Sequence, residues 1–288
     1  MADQAIFGII GNPLAHSLSP VMHNAAYREM GFNGHYLTFE TGNLRDIIDM
    51  IRERNISGVS VTLPFKEEVL DLMDDLDSNA LRIGSVNTVT NRNGRLLGSN
   101  TDWLGLIQDI RDRFEIRGKT VAVLGAGGAA RAAVYAIHLE GGSPVVVNRT
   151  AARGENLATE FGCAFLPLSE IGVVDASGLI NTTPVGMMPH EDESPVPARA
   201  LRRFGWVMDI VYNPPFTRLL KEAREKGCKT VDGIGMFVNQ GAEQIRLWTG
   251  KKAPRGLMRR VVEEELRQRS EVRHQRSARS RTKTNIEH

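Results

Sequence analysis

The 288-residue chain has only two cysteines, Cys163 and Cys228. They sit at no metal-ligand spacing and are too few for a disulfide framework. No metal site is expected, and the thiols are expected free in a reducing cytoplasm. Also absent is any apolar run near the roughly 20 residues of a membrane span. The opening stretch MADQAIFGIIGNP lacks a basic region, and its apolar part is too short for a signal peptide. It reads as a first strand. No internal repeat exists beyond a general alternation of strand and helix patterns. What is present, 41% apolar and 24% charged residues, is the composition of a soluble globular protein with room for one large or two ordinary domains.

The net charge is only +2, but it is unevenly spread. Residues 267–288, RQRSEVRHQRSARSRTKTNIEH, carry six arginines and one lysine against two glutamates, whereas the preceding 266 residues have a net charge of −3. The segment has neither apolar periodicity nor an aromatic residue. It reads as a basic, disordered tail; a solvated extension is favoured, and an arm for nucleic acid or an anionic surface stays open as the second reading. Outside it, nothing suggests a nucleic-acid protein.

Strand and helix patterns alternate from the start, which predicts an α/β fold with mainly parallel sheet. Ala5–Ile10, HYLTFET and GVSVTL read as strands; LRDIIDMIRERN and KEEVLDLMDDL read as helices. A hairpin follows. Asn93-Gly94 between two β-like runs is a strong type I′ turn signal. A two-residue loop pairs Arg92 with Arg95 and places Asn87 opposite Asn100. Asp102, two residues on, then shares a face with Asn87. A second α/β unit begins near residue 118, and LMRRVVEEELRQR is the last expected helix.

Residues 15–31, AHSLSPVMHNAAYREMG, hold two serines directly before a proline. Val21, Met22, Ala25, Ala26 and Met30 form one helical face, closed by Gly31. Ser19 is expected as N-cap and Pro20 as the first helical residue. Capping needs only one serine. Two readings of Ser17 and Ser19 stay open: a cap plus a loop serine, or hydroxyls lining an anion site beside a helix N-terminus.

Gly125, Ala126, Gly127, Gly128, Ala129 and Ala130 fit G-x-G-x-x-A between a strand and a helix, the context that gives this pattern its mechanism. Gly125 makes the tight turn, Gly127 lets the backbone approach a pyrophosphate, and Ala130 permits close helix packing. An NAD site would usually place an acid at the end of the next strand. Here stand Asn148, Arg149 and Thr150, with Arg153 soon after. Arginines at a helix start attract the 2′-phosphate of NADP, which an acid would repel. NADP is the expected cofactor.

In chain order, GNPLAHSLSP, GVSVTLPFKE, GSVNTV, GSNTD, GAGGAARA, NRT, NTTPVGM, DIVYNP and GIGMFVNQGAEQ resemble the shikimate dehydrogenase family over roughly residues 5–265. The resemblance implies two α/β domains around a cleft. Residues 1–103 with 238–265 would bind substrate, 104–237 would form a Rossmann-type NADP domain, and 266–288 lie outside the family pattern. It also implies reversible, NADP-dependent reduction of 3-dehydroshikimate to shikimate, on the route to chorismate and aromatic amino acids, by a monomer or homodimer.

Carried over residue by residue, the resemblance makes Ser17 and Ser19 the holders of the substrate carboxylate. Lys66 and Asp102 match the catalytic pair. Lys66 would protonate the carbonyl oxygen as hydride arrives. Its expected place at a helix start disfavours its charge, and a nearby Asp102 favours it. Asn87 and Asp102 match partners of the substrate hydroxyls, Thr62, Tyr212 and Gln240 match further substrate contacts, and Lys66 also counts among the substrate-binding residues. Asn181, Thr182, Ile210, Gly233 and Met236 match the cofactor side. On residue type alone Lys66 is a surface lysine, Met236 a core filler and Gln240 a helix surface residue. His16 and His23 are expected to orient or pack rather than react. Two alternatives belong to this reading: a quinate/shikimate dehydrogenase of broader substrate or NAD use, and a non-catalytic NADP-binding regulatory protein. Retention of Lys66 and Asp102 speaks against the second. The second serine of SLSP and the NRT sequence speak for shikimate and NADP. Nothing about the basic tail carries over, and catalysis is expected to survive its removal.

Overall fold

A computed structural model describes residues 4–284, with side chains described through Arg273. The first half forms β1 (Ala5–Gly11), α1 (Ser19–Glu29), β2 (Gly34–Glu40), α2 (Leu44–Glu53), β3 (Gly58–Val61), β4 (Asp75–Leu76), α3 (Ser78–Ile83), β5 (Thr88–Arg92) and β6 (Arg95–Ser99). These strands make one six-stranded sheet in the order β2-β1-β3-β5-β6-β4. It is parallel around β1 and antiparallel at the β3-β5 and β5-β6 pairs.

The second half forms α4 (Asp102–Ile110), β7 (Thr120–Leu124), α5 (Gly128–Leu139), β8 (Ser143–Asn148), α6 (Ala151–Phe161), β9 (Ala164–Pro167), β10 (Gly178–Asn181), β11 (Trp206–Asp209), α7 (Arg218–Glu225) and β12 (Lys229–Val231). Its six strands are all parallel, in the order β12-β11-β10-β7-β8-β9. The winding reverses between β7 and β10. The carboxyl ends of those two strands therefore diverge into the crevice where doubly wound sheets bind ligands.

Two further helices, α8 (Gly233–Thr249) and α9 (Arg255–Thr284), return to the first sheet. One core cluster joins Phe7, Ile9, Leu18 and Met22 to Phe237, Val238 and Ile245 of α8 and to Met258, Val262 and Leu266 of α9. The opposite face of that sheet packs Ile10, Val59 and Val61 against Leu44, Ile48 and Ile51 of α2. Helix α4 instead contributes Leu106, Ile107 and Ile110 to the core around β7 and α5, which also takes in Met236. α4 and α8 thus span both units. A second tie lies on α5, where Arg131 Nε donates to the Ile83 carbonyl at 2.6 Å and Tyr135 Oη donates to Asn79 Oδ1 at 2.8 Å.

The hairpin register is the expected one: Arg92 pairs with Arg95 and Thr88 with Ser99, through a turn with positive φ at Asn93 and Gly94. Three local expectations need correction. The KEEVLDLMDDL stretch gives only a five-residue 3-10 helix, Glu68–Leu72, so Lys66 stands in a turn rather than opening an α-helix. The run is crowded with acids, and Arg52 of α2 draws Asp74 away at 2.5 Å while the Leu96 amide binds the same carboxylate. Ser19 is the first helical residue, not the N-cap; Leu18 takes that position without a side-chain cap. Finally, the last helix does not end with LMRRVVEEELRQR at Arg269; α9 continues to Thr284, so the described part of the expected disordered tail is helical. The added stretch has no glycine or proline, and Arg269 pairs with Glu265 one turn back at 2.8 Å. The part of the expected tail at 285–288 lies outside the described residues.

Candidate active site

Strand and helix ends converge where the two units meet. Lys66 follows β3, Asn87 precedes β5, and Asp102 opens α4 directly after β6. Lys66 Nζ donates to Asp102 Oδ2 at 2.6 Å, and Asn87 Nδ2 donates to Asp102 Oδ1 at 2.7 Å. Both Asn87 and Asp102 are buried, whereas the Lys66 side chain keeps 15% exposure. The predicted shared face of Asn87 and Asp102 is therefore present. Gln240 Oε1 lies 3.4 Å from Asn87 Nδ2, which brings α8 to the same place. Thr62 is close by on the β3 side; its methyl group fills the space a Cβ at Gly11 would need, only 2.4 Å away.

The paired serines sit at the far end of the same crevice. Ser17 Oγ accepts the Ser19 amide at 3.3 Å, and the Tyr212 phenol faces Ser17 and the Leu18 backbone. Burial pushes the Tyr212 phenol up from its ordinary pKa. Its ring stacks on Phe237 with centroids 4.3 Å apart. Ser19 is buried beside Tyr36.

A buried hydrogen-bond chain connects the two ends, and most of its members carry no local sequence signal. Ser19 neighbours the Tyr36 hydroxyl, which lies 2.6 Å from Ser60 Oγ. Ser60 Oγ donates to Gln244 Oε1 at 2.8 Å. Gln244 Nε2 donates to Thr88 Oγ1 and to the Asn87 carbonyl, at 3.1 and 3.2 Å. Thr101 Oγ1 then accepts from Asn87 Nδ2 at 2.9 Å. A satisfied buried network of this kind fixes side-chain positions more tightly than packing alone.

His23 belongs to this support, in line with the packing role expected of it. Its ring stacks on Tyr36 at 4.1 Å, and Nδ1–H donates to the Ser19 carbonyl at 2.9 Å. Nε2 points to Gln244 without closing a hydrogen bond. Burial lowers the imidazole to a pKa of about 4 from 6.5. A depressed histidine contributes stability that is complete above pH 6.5 and lost as pH falls through about 4, because the unfolded chain takes up the proton first. The loss approaches about 3 kcal/mol. His23→Gln should flatten that part of the acid limb, read as urea-unfolding free energies at pH 7, 5.5 and 4; parallel curves for the two proteins would contradict this.

The glycine turn faces the lysine. Gly125 has φ +113°, and a Cβ there would meet Thr182 Oγ1 at 2.7 Å. A Cβ at Gly128 would lie 2.9 Å from Lys66 Cβ and 2.5 Å from Ser85 Oγ. At Gly127 a Cβ would approach only Glu67 Oε1, at 3.7 Å, so the backbone here borders open space. Gly127 is the N-cap of α5 and offers no side chain to its first-turn N–H groups. Ala126 and Ala129 are half-buried in the same turn, and Ala130 is buried. This is a cradle that suits a pyrophosphate. At the end of β8, Arg149, Thr150 and Arg153 are exposed, and Asn148 Nδ2 donates to the Thr150 carbonyl at 2.9 Å. Arg153 reaches Glu67 at 3.8 Å, tying the dinucleotide side to the residue next to Lys66. Arg149→Asp should lower the ratio of kcat/KM with NADP to that with NAD by about 10- to 100-fold. Steady-state rates with both cofactors check it, and an unmoved ratio counts against a 2′-phosphate contact.

Other expected cofactor residues divide. Thr182 Oγ1 is bound to the Leu124 carbonyl at 2.5 Å, at the crevice. Asn181 is fully buried, and its amide is used on Asp209 at 2.9 Å and on Thr183. Its side chain thereby ties β10 to Asp209 of β11 and to the loop that follows. Asp209, held also by Val211 and Thr217, is pushed up to about 7 by burial. Ile210 and Gly233 are packed backbone to backbone, since a Cβ at Gly233 would lie 2.3 Å from the Ile210 carbonyl oxygen. Met236 is buried in the α4/α5 core.

A fully parallel doubly wound sheet with a glycine turn at its switch point, and a lysine–aspartate pair where it meets a second α/β unit, define a two-domain dinucleotide-linked oxidoreductase. A profile of the shikimate dehydrogenase substrate binding domain matches residues 9–89, and one of the shikimate 5′-dehydrogenase C-terminal domain matches residues 233–263. Shikimate dehydrogenase (NADP(+)) of Thermococcus kodakarensis is 46% identical over 264 residues, covering 90% of this chain and 96% of that protein. The Pyrococcus abyssi enzyme of the same name is 45% identical, over 91% of this chain and 98% of its own. The crystal structure of shikimate 5-dehydrogenase from Thermus thermophilus in complex with NADP(H) and shikimate superposes with a TM-score of 0.83 at 39% identity, over 90% of this chain and 99% of that one. The chain belongs to the shikimate dehydrogenase family.

Proposed function

We propose that the site carries out the reversible reduction of 3-dehydroshikimate to shikimate, with Lys66 and Asp102 as its catalytic pair. The protein is an NADP-dependent oxidoreductase acting on a CH–OH group. NADPH, when bound, supplies the hydride. Residues 1–103 with 238–265 serve as the substrate-binding part and 104–237 as the NADP-binding part.

Ser17, Ser19 and Tyr212 hold the substrate carboxylate, and Asn87, Thr62 and Gln240 take ring hydroxyls. This grip sets one ring carbon toward the nicotinamide side of the crevice. Lys66 Nζ carries the proton that the carbonyl oxygen takes up, and receives it in the reverse direction. Asp102, pinned by Asn87, fixes the ammonium and stabilises its charge. Arg149 and Arg153 offer charge for the 2′-phosphate of NADP. The contact that carries this reading is the 2.6 Å Lys66–Asp102 bond at the edge of the glycine turn. No helix of the described residues is long and apolar enough to cross a membrane, and we assign the enzyme to the cytoplasm, as a monomer or homodimer.

The test is NADPH formation with shikimate, beside quinate and NAD as controls. Shikimate-dependent reduction of NADP is the expected result. Equal rates on quinate would widen the substrate class, and nucleotide binding with no turnover would favour a regulatory protein.

A further inference from the structure

The last helix runs beyond the residues matched by the family profile, which end at residue 263. Two arginines on this continuation touch the two units, one each. Arg269 Nη1 donates to the His16 carbonyl 3.3 Å away, directly before Ser17, while its Nε binds Glu265 Oε1 at 2.8 Å. One turn on, Arg273 Nη1 reaches Met188 Sδ at 2.8 Å and pairs with Glu191. Met188 and Glu191 lie on the segment between β10 and β11, in the other unit. The helix is thereby anchored on both units, and Arg269 is held half-buried beside the serine loop.

The hydroxyls of Ser17, Ser19 and Tyr212 are neutral, and Lys66 is already committed to Asp102. A carboxylate gripped by hydroxyls alone keeps an unbalanced charge in a crevice where solvent screening is weak. Arg269 is the cation beside that grip. Its charge is also felt at the Tyr212 phenol, where it opposes the rise that burial imposes.

We propose that Arg269 is a specificity-determining residue whose guanidinium offsets the negative charge of the carboxylate held by Ser17, Ser19 and Tyr212. The proposal rests on the substrate assignment above. It makes the basic extension part of the site, contrary to the expectation that catalysis is indifferent to it. Glu265 competes with the substrate for the same guanidinium and so tempers the effect.

The test compares shikimate with its neutral methyl ester, in the full-length protein and in Arg269→Gln, Arg269→Lys and Glu265→Gln. Arg269→Gln should raise KM for shikimate by about three- to tenfold, with kcat and the KM for NADP changed less than about twofold. The ester should not respond, so the ester-to-acid KM ratio falls. Arg269→Lys should restore much of the loss, and Glu265→Gln should lower KM for the acid only. Added salt should raise KM for shikimate in the unaltered enzyme more than in Arg269→Gln. Equal changes for acid and ester would mean that Arg269 merely props the His16 loop, and would overturn the proposal, as would an unchanged KM. If Arg269→Gln does not fold, the acid-to-ester response of Glu265→Gln decides alone. Absence of shikimate turnover in the unaltered enzyme would instead overturn the substrate assignment.

Discussion

Lys66→Ala should lower kcat by about 10²- to 10⁴-fold while KM for shikimate moves by no more than about threefold. The reasoning starts from the 2.6 Å contact to Asp102. In the proposed mechanism alanine removes the proton donor at the carbonyl oxygen, an interaction that matters as the hydride arrives and adds little to ground-state binding. The serines, Asn87 and Gln240, the proposed substrate contacts, remain in place. Asp102 loses one partner but keeps Asn87 Nδ2 at 2.7 Å and, through its own amide, Asn100 Oδ1 at 3.0 Å. The local backbone should therefore persist, and circular dichroism and a thermal melt monitor it. Retention of most of the turnover would take Lys66 out of the mechanism.

Ser17→Ala should raise KM for shikimate by about 10- to 100-fold, because a hydrogen bond to a charged group is worth roughly 1.5–3 kcal/mol. Ser17 is the better of the two serines to test. It is half-buried and packs little, whereas Ser19 is enclosed beside Tyr36 and carries the carbonyl that binds His23. A substitution at Ser19 would disturb the buried chain as well as the substrate. The affinity for NADP should not change, since Ser17 lies on the other side of the crevice from the glycine turn. Unaltered kinetics for Ser17→Ala would reduce the serine pair to a loop serine beside a helix start.

Two other parts of the site are readable in the sequence, for different reasons, whereas the roles of Lys66 and Ser17 come only from the family resemblance. The Asn87–Asp102 neighbourhood follows from local geometry: the Asn93-Gly94 turn sets the register, and the register carries back along β5 to Asn87. The glycine turn is readable because strand, glycines and helix are contiguous. By contrast, Tyr36, Ser60 and Gln244 are joined only by tertiary structure, with Ser60 and Gln244 separated by 184 positions. Each looks like an ordinary strand or helix residue. The bond from the Asn181 amide to Asp209 is likewise a contact between strands far apart in sequence. The continuation of α9 was hidden because apolar periodicity fades after Leu266, while its arginines find acceptors on segments remote in sequence, at His16 and Glu191.

The return of α8 and α9 to the first sheet bears on how the protein is made. Phe7, Ile9 and Met22 emerge early from the ribosome, yet the apolar surfaces that cover them, Val238, Ile245 and Met258, come more than two hundred residues later. The nucleotide-binding half is complete in the nascent chain before its predecessor can close. Until then α1 alone covers that face of the amino-terminal sheet, which leaves part of its apolar surface open during synthesis.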